Sequence, residues 1–299
     1  MEKYELTIAD IKNNANRFLA YIYATARRSE KPEIDFIVAG PGAGKSGVES
    51  YLKNKLKEED ERCAIVNSDK IAEFHPDYED AIEELPEVCY KVTRQFVRPA
   101  TPIIFSELRN NNINILNENT FDKGQGDIDF VKDFIEAGYK IKVHIIATDM
   151  FISRLSCYER EARMLQNGDT PRGISKETQT RMYNSFIDEI AELERLGYCD
   201  ELNVYIRGEN INKPELVYQL GEDKYRDFKE AIIEERKKQR KKIFANPSEY
   251  LAEIRDIRQI IEKNGINEVL TNNSLKGLDE LQKDFIEELA KENESDIEK

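Results

Sequence analysis

Short apolar runs and longer amphipathic stretches alternate along the first two-thirds of the chain. Between the runs, apolar residues recur at spacings of three and four, which is typical of helices that pack by one face. Strands that alternate with helices favour a parallel sheet, because each parallel crossover needs a connection long enough for a helix. We therefore predict an α/β fold with a five-stranded parallel sheet and covering helices. The predicted strands are the run that starts at Phe36 and the runs 63–66, 113–116, 141–147 and 202–206.

Helical patterns flank this α/β unit on both sides. A leading helix is predicted within 7–28, with Thr7 and Asp10 as its capping pair. The last third of the chain is helical in pattern and contains one strongly basic block, 236–242. For this block we predict a solvated helix face, with contact to RNA or an acidic partner as the alternative. The predicted division is a domain at 1–209 and a helical appendage at 210–299.

Composition excludes several classes of function. The chain has 45 Lys and Arg against 59 Asp and Glu, a net charge of −14 that repels nucleic acid. The four cysteines lie far apart without a C-x-x-C pair, which favours neither a disulfide framework nor a zinc site. The first ten residues are polar, and no apolar run approaches the ~20 residues of a membrane span. We expect a reduced, cytoplasmic protein without nucleic-acid or membrane partners.

The first predicted strand runs directly into a glycine-rich turn, A-G-P-G-A-G-K-S at 39–46. Small residues let successive backbone N–H groups converge on phosphate oxygens, while Lys45 neutralises β/γ charge and the Ser46 hydroxyl can ligate Mg²⁺. The helix that should follow from about Gly47 points the positive end of its dipole at the same anion. The pattern predicts a nucleotide site, and a glycine-rich β-turn is the alternative. The predicted nucleotide contacts are Gly40, Pro41, Gly42, Ala43, Gly44, Lys45 and Ser46, with Ser46 also the metal ligand.

Acidic residues follow two of the predicted strands at their carboxyl ends. Asp69 comes after the second run and Glu118 after the third. Ligands of open parallel sheets bind outside the carboxyl ends of the strands, so both side chains can reach the mouth of the phosphate loop. The alternatives are a helix N-cap for Asp69 and a surface acid at a strand end for Glu118.

The segment 153–172 is rich in arginine. Arg160 and Arg163 share a helix face, and Arg172 follows a turn-rich break. A solvated helix face is one interpretation. Arginines on a mobile connection behind a phosphate loop are also what phosphoryl transfer uses to stabilise transition-state charge, and both interpretations stay open. The four candidates are Arg154, Arg160, Arg163 and Arg172.

Taken together and in this order, these motifs resemble the zeta toxin family of phosphoryl-transferring kinases, from the leading helix to about Gly208. The resemblance implies a fold like that of P-loop nucleoside-monophosphate kinases, the use of ATP and Mg²⁺, and phosphorylation of a hydroxyl of UDP-N-acetylglucosamine. It also implies a toxin held inactive by a small antitoxin protein that covers the nucleotide site. The motifs are A-G-P-G-A-G-K-S at 39–46, V-N-S-D at 66–69, F-H-P-D-Y at 74–78, N-E-N-T at 117–120, and the Y-E-R and T-P-R-G pieces that contain Arg160 and Arg172.

On the nucleotide side, the resemblance makes Lys45 a phosphate contact and Ser46 a phosphate and metal contact. It also makes Arg160 and Arg172 the arginines that grip the ATP phosphates. On this basis, Lys45, Arg160 and Arg172 are predicted to be catalytic.

On the acceptor side, the resemblance makes Asp69 the base that accepts the proton of the acceptor hydroxyl. Glu118 and Thr120 then resemble contacts to the acceptor sugar. The family often continues its glutamate with Gly-Thr-Gly-Arg, whereas N-T-F-D at 119–122 contains no arginine.

Two alternatives to a nucleotide-sugar kinase remain. One is a nucleoside, nucleotide or other small-molecule P-loop kinase. The other is an ATP-switched interaction module, in which ATP binding orders the helical appendage against a partner. A proton acceptor at Asp69 distinguishes either kinase from the switch. A kinase needs a proton acceptor beside the transferred phosphoryl group, and a switch does not.

Overall fold

A six-stranded sheet forms the centre of the computed structural model, which describes residues 2–58, 62–84, 89–169, 173–208, 213–222, 224–265 and 268–297. The five predicted strands are present and pair in parallel. A sixth strand, which the sequence did not predict, pairs antiparallel with the fifth. The strands are β1 Glu33–Val38, β2 Ala64–Val66, β3 Ile115–Asn119, β4 Lys140–Ile146, β5 Glu201–Ile206 and β6 Glu215–Gln219. Their order across the sheet is β2-β3-β1-β4-β5-β6.

Helices lie between successive strands of the parallel part of the sheet, and further helices come after the last strand along the chain. The leading helix runs from Ile8 to Tyr23, and Thr7 is its N-cap, where the predicted capping box with Asp10 is present. A short 3-10 helix, Glu2–Tyr4, precedes it. The α-helices are α1 Ile8–Tyr23, α2 Lys45–Glu58, α3 Ser68–Ala72, α4 Tyr78–Glu84, α5 Cys89–Asn110, α6 Gln125–Glu136, α7 Met150–Gln166, α8 Lys176–Arg195, α9 Phe228–Ala245, α10 Pro247–Asn264 and α11 Glu268–Ile297.

The parallel pairing places the phosphate loop at the centre of one sheet edge. Strand β1 lies between β3 and β4, and its Ile37 is in register with Glu118 on one side and His144 on the other. The loop that follows β1 therefore emerges beside the carboxyl ends of both neighbours, where ligands of such sheets bind.

The two faces of the sheet are covered differently. Phe36 and Val38 point into the main core, which also receives buried residues of α1, α5, α6, α8 and α9. Ile37 points to the opposite face and packs with Val48 and Leu52 of α2. Strand alternation thus fixes α2, and with it the phosphate loop, on its own side of the sheet.

A second apolar cluster joins the C-terminal helices to α7. Phe151 of α7 packs edge-to-face on Phe285 of α11, and the Phe285 ring stacks on Tyr250 of α10. The buried Arg154 donates to Asp284 of α11 at 2.6 Å, in the same interface. The helix that carries the predicted arginines is therefore anchored by the last two helices of the chain.

The basic block of α9 is only partly a solvated face, contrary to the sequence prediction. Arg240 pairs with the buried Asp149 at 2.9 Å, and Gln239 donates to the Ala147 carbonyl at 2.7 Å. Asp149 caps α7, so these contacts hold the start of that helix. The outer side of the block consists of the exposed residues Lys237, Lys238, Lys241 and Lys242.

Residues on both sides of position 209 share the main core. Strand β6 extends the sheet, and Phe228 and Ile232 of α9 are buried with residues of the first 209 positions. The division into 1–209 and 210–299 stays a proposal. Among the helices described, none combines the length and the apolar character that crossing a membrane requires.

Candidate active site at the phosphate loop

The glycine-rich segment forms a tight loop between β1 and α2. Gly42 and Gly44 have φ angles of +72° and +105°, which glycine adopts without steric cost. The Lys45 ammonium group donates to the carbonyls of Ala39 and Gly40, at 3.0 Å each. The lysine side chain therefore folds back over the loop that precedes it.

Side chains from distant parts of the chain hold the outer carbonyls of the loop. Ser153 of α7 donates to the Pro41 carbonyl at 2.5 Å, and Thr148 donates to the Ala43 carbonyl at 2.8 Å. Arg207 donates to the carbonyls of Gly42 and Ala43. Because these carbonyls are already paired, the loop is held in shape by the protein itself, as pre-organised anion sites require.

Arg207 was not among the sequence candidates. It also donates to Ser156 of α7 at 2.8 Å, so it joins the loop to that helix. Its position directly after the fifth strand, at the ligand-binding edge of a parallel sheet, was the signal available in the sequence.

Gly42→Ala should destabilise the protein and weaken nucleotide binding, because an added Cβ would clash with the Ser153 carbonyl and approach Cys157 Sγ to 2.8 Å. Gly138→Ala is the matched control, since Gly138 has a similar φ of +82° with no atom within 4 Å of the added Cβ. We expect about 1–2 kcal/mol of lost stability for the control and a larger loss for Gly42→Ala. Urea unfolding and nucleotide titration measure both effects. Equal behaviour of the two variants would contradict a tight contact between the loop and α7.

Charged groups of both signs surround the Lys45 ammonium group. Desolvation lowers the pKa of Lys45, and Arg160 lowers it further, while Glu118 and Asp69 act in the opposite direction. Burial raises the pKa of Glu118, and the nearby acids Asp69 and Glu49 add to this, against Lys45. The structure therefore brings Lys45, Glu118, Asp69 and Arg160 close enough for their charges to interact.

The positions of the two strand-end acids, Asp69 and Glu118, argue against their alternative interpretations as a helix N-cap and a surface acid. Asp69 is exposed in the first turn of α3, and the N-cap of that helix is Asn67, whose side chain accepts from the Lys70 N–H at 2.8 Å. The capping interpretation of Asp69 is therefore wrong. Glu118 is half-buried within β3 instead of lying on an open surface.

The segment after Glu118 turns sharply and is held from α8. The Thr120 hydroxyl donates to Asp122 at 3.0 Å, and Asp122 accepts from Arg181 of α8 at 3.1 Å. Phe121, with a φ of +45°, is buried in the main core. Arg181 of α8 thus places a guanidinium group beside the segment 119–122, which contains no arginine of its own.

The four arginine candidates separate in the fold. Arg160 is exposed on α7 and interacts with the charge of Lys45, and Arg163 is exposed on the same helix. Arg154 is instead buried and paired with Asp284, which gives it a role in packing α7 against α11. Arg172 lies outside the described residues.

Ser46 is the residue that fits a magnesium ion. Across the described ranges, no group of three or more His, Cys, Asp or Glu side chains is arranged to hold a metal ion. Magnesium held mainly by substrate phosphates and water needs no such group. The exposed Ser46, in the first turn of α2 beside Lys45, offers the single hydroxyl oxygen that this mode of binding uses.

Glu118→Gln should raise the melting temperature of the ligand-free protein at neutral pH. Folding raises the pKa of Glu118 above its ordinary value of 4.5, chiefly through burial, so the ionised carboxylate destabilises the native state. Below pH ~4 the carboxyl group is protonated in both states, and the gain should vanish. It should grow as the pH rises through the raised pKa. Glu222→Gln, at an exposed position, is the control, and a gain of the same size at every pH would contradict this account.

Comparison with known proteins gives one consistent family. The family model described as Zeta toxin matches residues 20–223. The chain is 21% identical over 179 residues to a curated protein named Toxin zeta from Streptococcus agalactiae, a match that covers 60% of this chain and 61% of that protein. This chain therefore spans less than two-thirds of the length of that relative.

A solved structure has the same fold over nearly the whole chain. It comes from the characterisation of the PezAT chromosomal toxin-antitoxin system of Streptococcus pneumoniae. The two chains are 17% identical with a TM-score of 0.62, and the match covers 95% of this chain and 99% of that one. The C-terminal helices are therefore included in the similarity.

Proposed function

This chain belongs to the zeta toxin family, and from that premise we propose that it is an ATP- and Mg²⁺-dependent phosphotransferase. The proposed reaction transfers the γ-phosphoryl group of ATP to a hydroxyl of UDP-N-acetylglucosamine or a related nucleotide sugar. The proposed setting is the cytoplasm of a bacterium, where the enzyme is the toxin of a toxin-antitoxin system.

One observation carries the proposal. Lys45, at the end of the phosphate loop, interacts through its charge with two acids from neighbouring strand ends, Asp69 and Glu118, and with Arg160 from α7. A site that binds a nucleotide without transferring phosphate needs no more than the lysine and the loop. The added carboxylates supply what transfer to a hydroxyl requires, a proton acceptor and an orienting contact beside the phosphate.

In the proposed step, an acceptor hydroxyl oxygen attacks the γ-phosphorus. A new O–P bond forms, the bond from the γ-phosphorus to the β,γ-bridging oxygen breaks, and ADP leaves with the bonding electrons. The carboxylate of Asp69 accepts the hydroxyl proton. Glu118 and Thr120 orient the acceptor, and the hydrogen bond from Thr120 to Asp122 restricts the position of the threonine side chain.

The nucleotide side of the site has its own set of residues. Backbone N–H groups of the loop 40–44 and the Lys45 ammonium group bind the phosphates, and the Ser46 hydroxyl would hold a magnesium ion. When bound, magnesium neutralises charge on the β- and γ-phosphate oxygens. Arg160 and Arg172 stabilise the charge that develops on the transferred group.

The acceptor can be identified by a direct assay. Purified full-length chain is incubated with γ-labelled ATP and Mg²⁺ in the presence of nucleotide sugars, nucleosides or nucleotides, each in a separate reaction. Label on UDP-N-acetylglucosamine, lost in Lys45→Ala, supports the proposal. Label only on a nucleoside or nucleotide makes the chain another small-molecule kinase. ATP binding without any transfer favours the switch.

We also propose that a separate antitoxin protein inhibits the enzyme. The apolar face of the leading helix α1 is buried in the main core through Phe18 and Leu19, so this helix is part of the folded unit. Expression of the full chain in a susceptible bacterium, beside Lys45→Ala, tests the idea. Arrest or lysis with the wild-type chain alone supports a toxin that needs an outside inhibitor, and normal growth with both contradicts it.

A further inference from the structure

The segment 119–124, which carries Thr120, turns sharply between β3 and α6. Two of its residues have positive φ angles, Phe121 at +45° and Gly124 at +58°. Gly124 is the N-cap of α6 and has no side chain that could cap the helix. A residue such as Phe121 adopts a positive φ only where the surrounding contacts hold it there. The shape of this turn therefore depends on contacts from other elements.

Two acids hold consecutive backbone N–H groups of the turn. Asp127 of α6 accepts from the Lys123 N–H at 2.8 Å, and Glu189 of α8 accepts through Oε1 from the Gly124 N–H at 2.9 Å. Asp127 is 1% exposed, and Glu189 is half-buried. Because their backbone partners are neighbours in the chain, the two carboxyl groups lie side by side. Glu189 and Asp127 are called the acid pair below.

The two carboxyl groups of the acid pair also form a hydrogen bond with each other. The second oxygen of Glu189, Oε2, is buried, and within the part of the chain that the structure describes no N–H or hydroxyl group donates to it. Ionised carboxylates only accept hydrogen bonds, so a bond between two of them requires a proton on one. Adjacent carboxylates also repel each other strongly when both are ionised. The geometry therefore requires one proton between the two acids.

The surroundings of the acid pair favour a proton on Glu189. The ammonium group of Lys123 lies 4.0 Å from Asp127, which makes Asp127 the better position for the negative charge. Burial, together with the charges of Asp127 and Asp122, raises the pKa of Glu189 to about 7, against the hydrogen bond from the Gly124 N–H. Glu189 is thus protonated in acid and ionises near neutral pH.

Other cations of the elements that pack here are bound to other acids. Arg181 of α8 pairs with Asp122 at 3.1 Å, and Lys229 of α9 lies 3.4 Å from Asp188 of α8. Neither is placed to replace the proton of Glu189.

We propose that Glu189 and Asp127 share one proton, and that this proton holds the segment 119–124 against α8 as a positioning contact for the acceptor site. Loss of the proton to solvent places two negative charges against the same turn, with Asp122 close by, and releases the turn from α8. The hydroxyl of Thr120, which Asp122 holds, then loses its fixed position. The effect on acceptor binding rests on the proposed function, whereas the shared proton does not.

Glu189→Gln tests the shared proton. Glutamine keeps the acceptor for the Gly124 N–H and replaces the O–H donor by a permanent N–H donor to Asp127. Folding raises the pKa of Glu189 above its ordinary value of 4.5, so the wild-type chain loses stability as the pH rises from 4.5 to about 7, and the variant does not. Without ligand, the full-length variant should melt with wild type at pH ~4 and about 3 °C or more above it at pH ~8.

Asp127→Asn supplies the N–H donor from the other side of the pair. Its amide can donate to the ionised Glu189 while its oxygen accepts from the Lys123 N–H, so this variant should also melt above wild type at pH ~8. It keeps the inference testable if Glu189→Gln fails to fold. The double variant should gain no more than either single variant, because one repulsion is removed in each case. A gain equal to the sum of the two would overturn the shared proton.

Hydrogen exchange shows whether the acid pair holds the turn. After correction for the intrinsic effect of pH, amides of 119–127 should exchange about tenfold faster at pH ~8 than at pH ~6 in wild type and equally fast in Glu189→Gln. Glu192→Gln is the matched control on the same helix, because the hydrogen bond from Arg195 lowers the pKa of Glu192. This control should keep the wild-type response. Exchange in wild type that does not change with pH would overturn the inference.

The Michaelis constant of the acceptor separates positioning from stability alone. With saturating ATP and UDP-N-acetylglucosamine as the probe, KM should rise severalfold from pH ~6 to pH ~8 in wild type relative to Glu189→Gln, while KM for ATP follows the same course in both. Identical acceptor profiles would overturn the positioning role. Absence of transfer at every pH contradicts the proposed function instead, and melting and exchange then decide whether the proton is shared and holds the turn.

Discussion

Lys45→Ala should abolish phosphoryl transfer, with a loss in kcat/KM of roughly 10³-fold or more. In the wild-type chain the ammonium group is the positive charge that faces Glu118 and Asp69 at the end of the loop. Without it, a polyanionic nucleotide would have to bind beside two acids with less positive charge to offset them. Nucleotide affinity should therefore fall together with the rate.

The measurement is steady-state transfer from labelled ATP, combined with nucleotide titration. Lys53→Ala is the matched control, because Lys53 is exposed and lies eight residues further along the same helix α2. It should retain wild-type kinetics. Full turnover in Lys45→Ala would remove the basis of the kinase proposal.

Asp69→Asn should slow transfer by roughly 10²–10⁴-fold while ATP affinity stays near that of wild type. The amide keeps the shape of the side chain and cannot accept the hydroxyl proton. The substitution should also leave α3 intact, since Asn67 and not Asp69 caps that helix. A folded variant that binds ATP and transfers slowly is the expected result.

Single-turnover assays and ATP titration separate the rate from the affinity. Asp80→Asn makes the same change in the first turn of the next helix, α4, where the carboxylate lies on the surface 3.8 Å from Lys3. That control should transfer at the wild-type rate. If Asp69→Asn loses ATP binding along with the rate, Asp69 acts in the fold or in metal binding and not as the base.

The strand pattern and the phosphate loop could be predicted because both depend on neighbouring residues. A buried parallel strand needs an apolar run, and the anion-binding loop needs small residues followed by Lys45 and Ser46 within a few positions. The predicted runs accordingly became β1 to β5, although β3 starts at Ile115, two residues later than its run. Strand β6 was not predicted, because only Val217 and Tyr218 of its five residues are buried, which is too short an apolar run to indicate a strand.

The sequence alone also determined which residue types meet at the edge of the sheet. Parallel strands direct their carboxyl ends to one side, so acids that follow the second and third runs had to approach the loop that follows the first. Glu118 and Asp69 do so.

Only the tertiary structure decided which charges stay available at that edge. Arg154 and Arg160 are similar in sequence context, yet Arg154 is paired with Asp284, 130 residues further along the chain, and Arg160 faces Lys45. Likewise, Arg207 holds the loop, and α9 uses part of its basic block to hold Asp149. The physical reason is that spacing along the chain encodes which face a residue takes, whereas its partner depends on which distant element packs there.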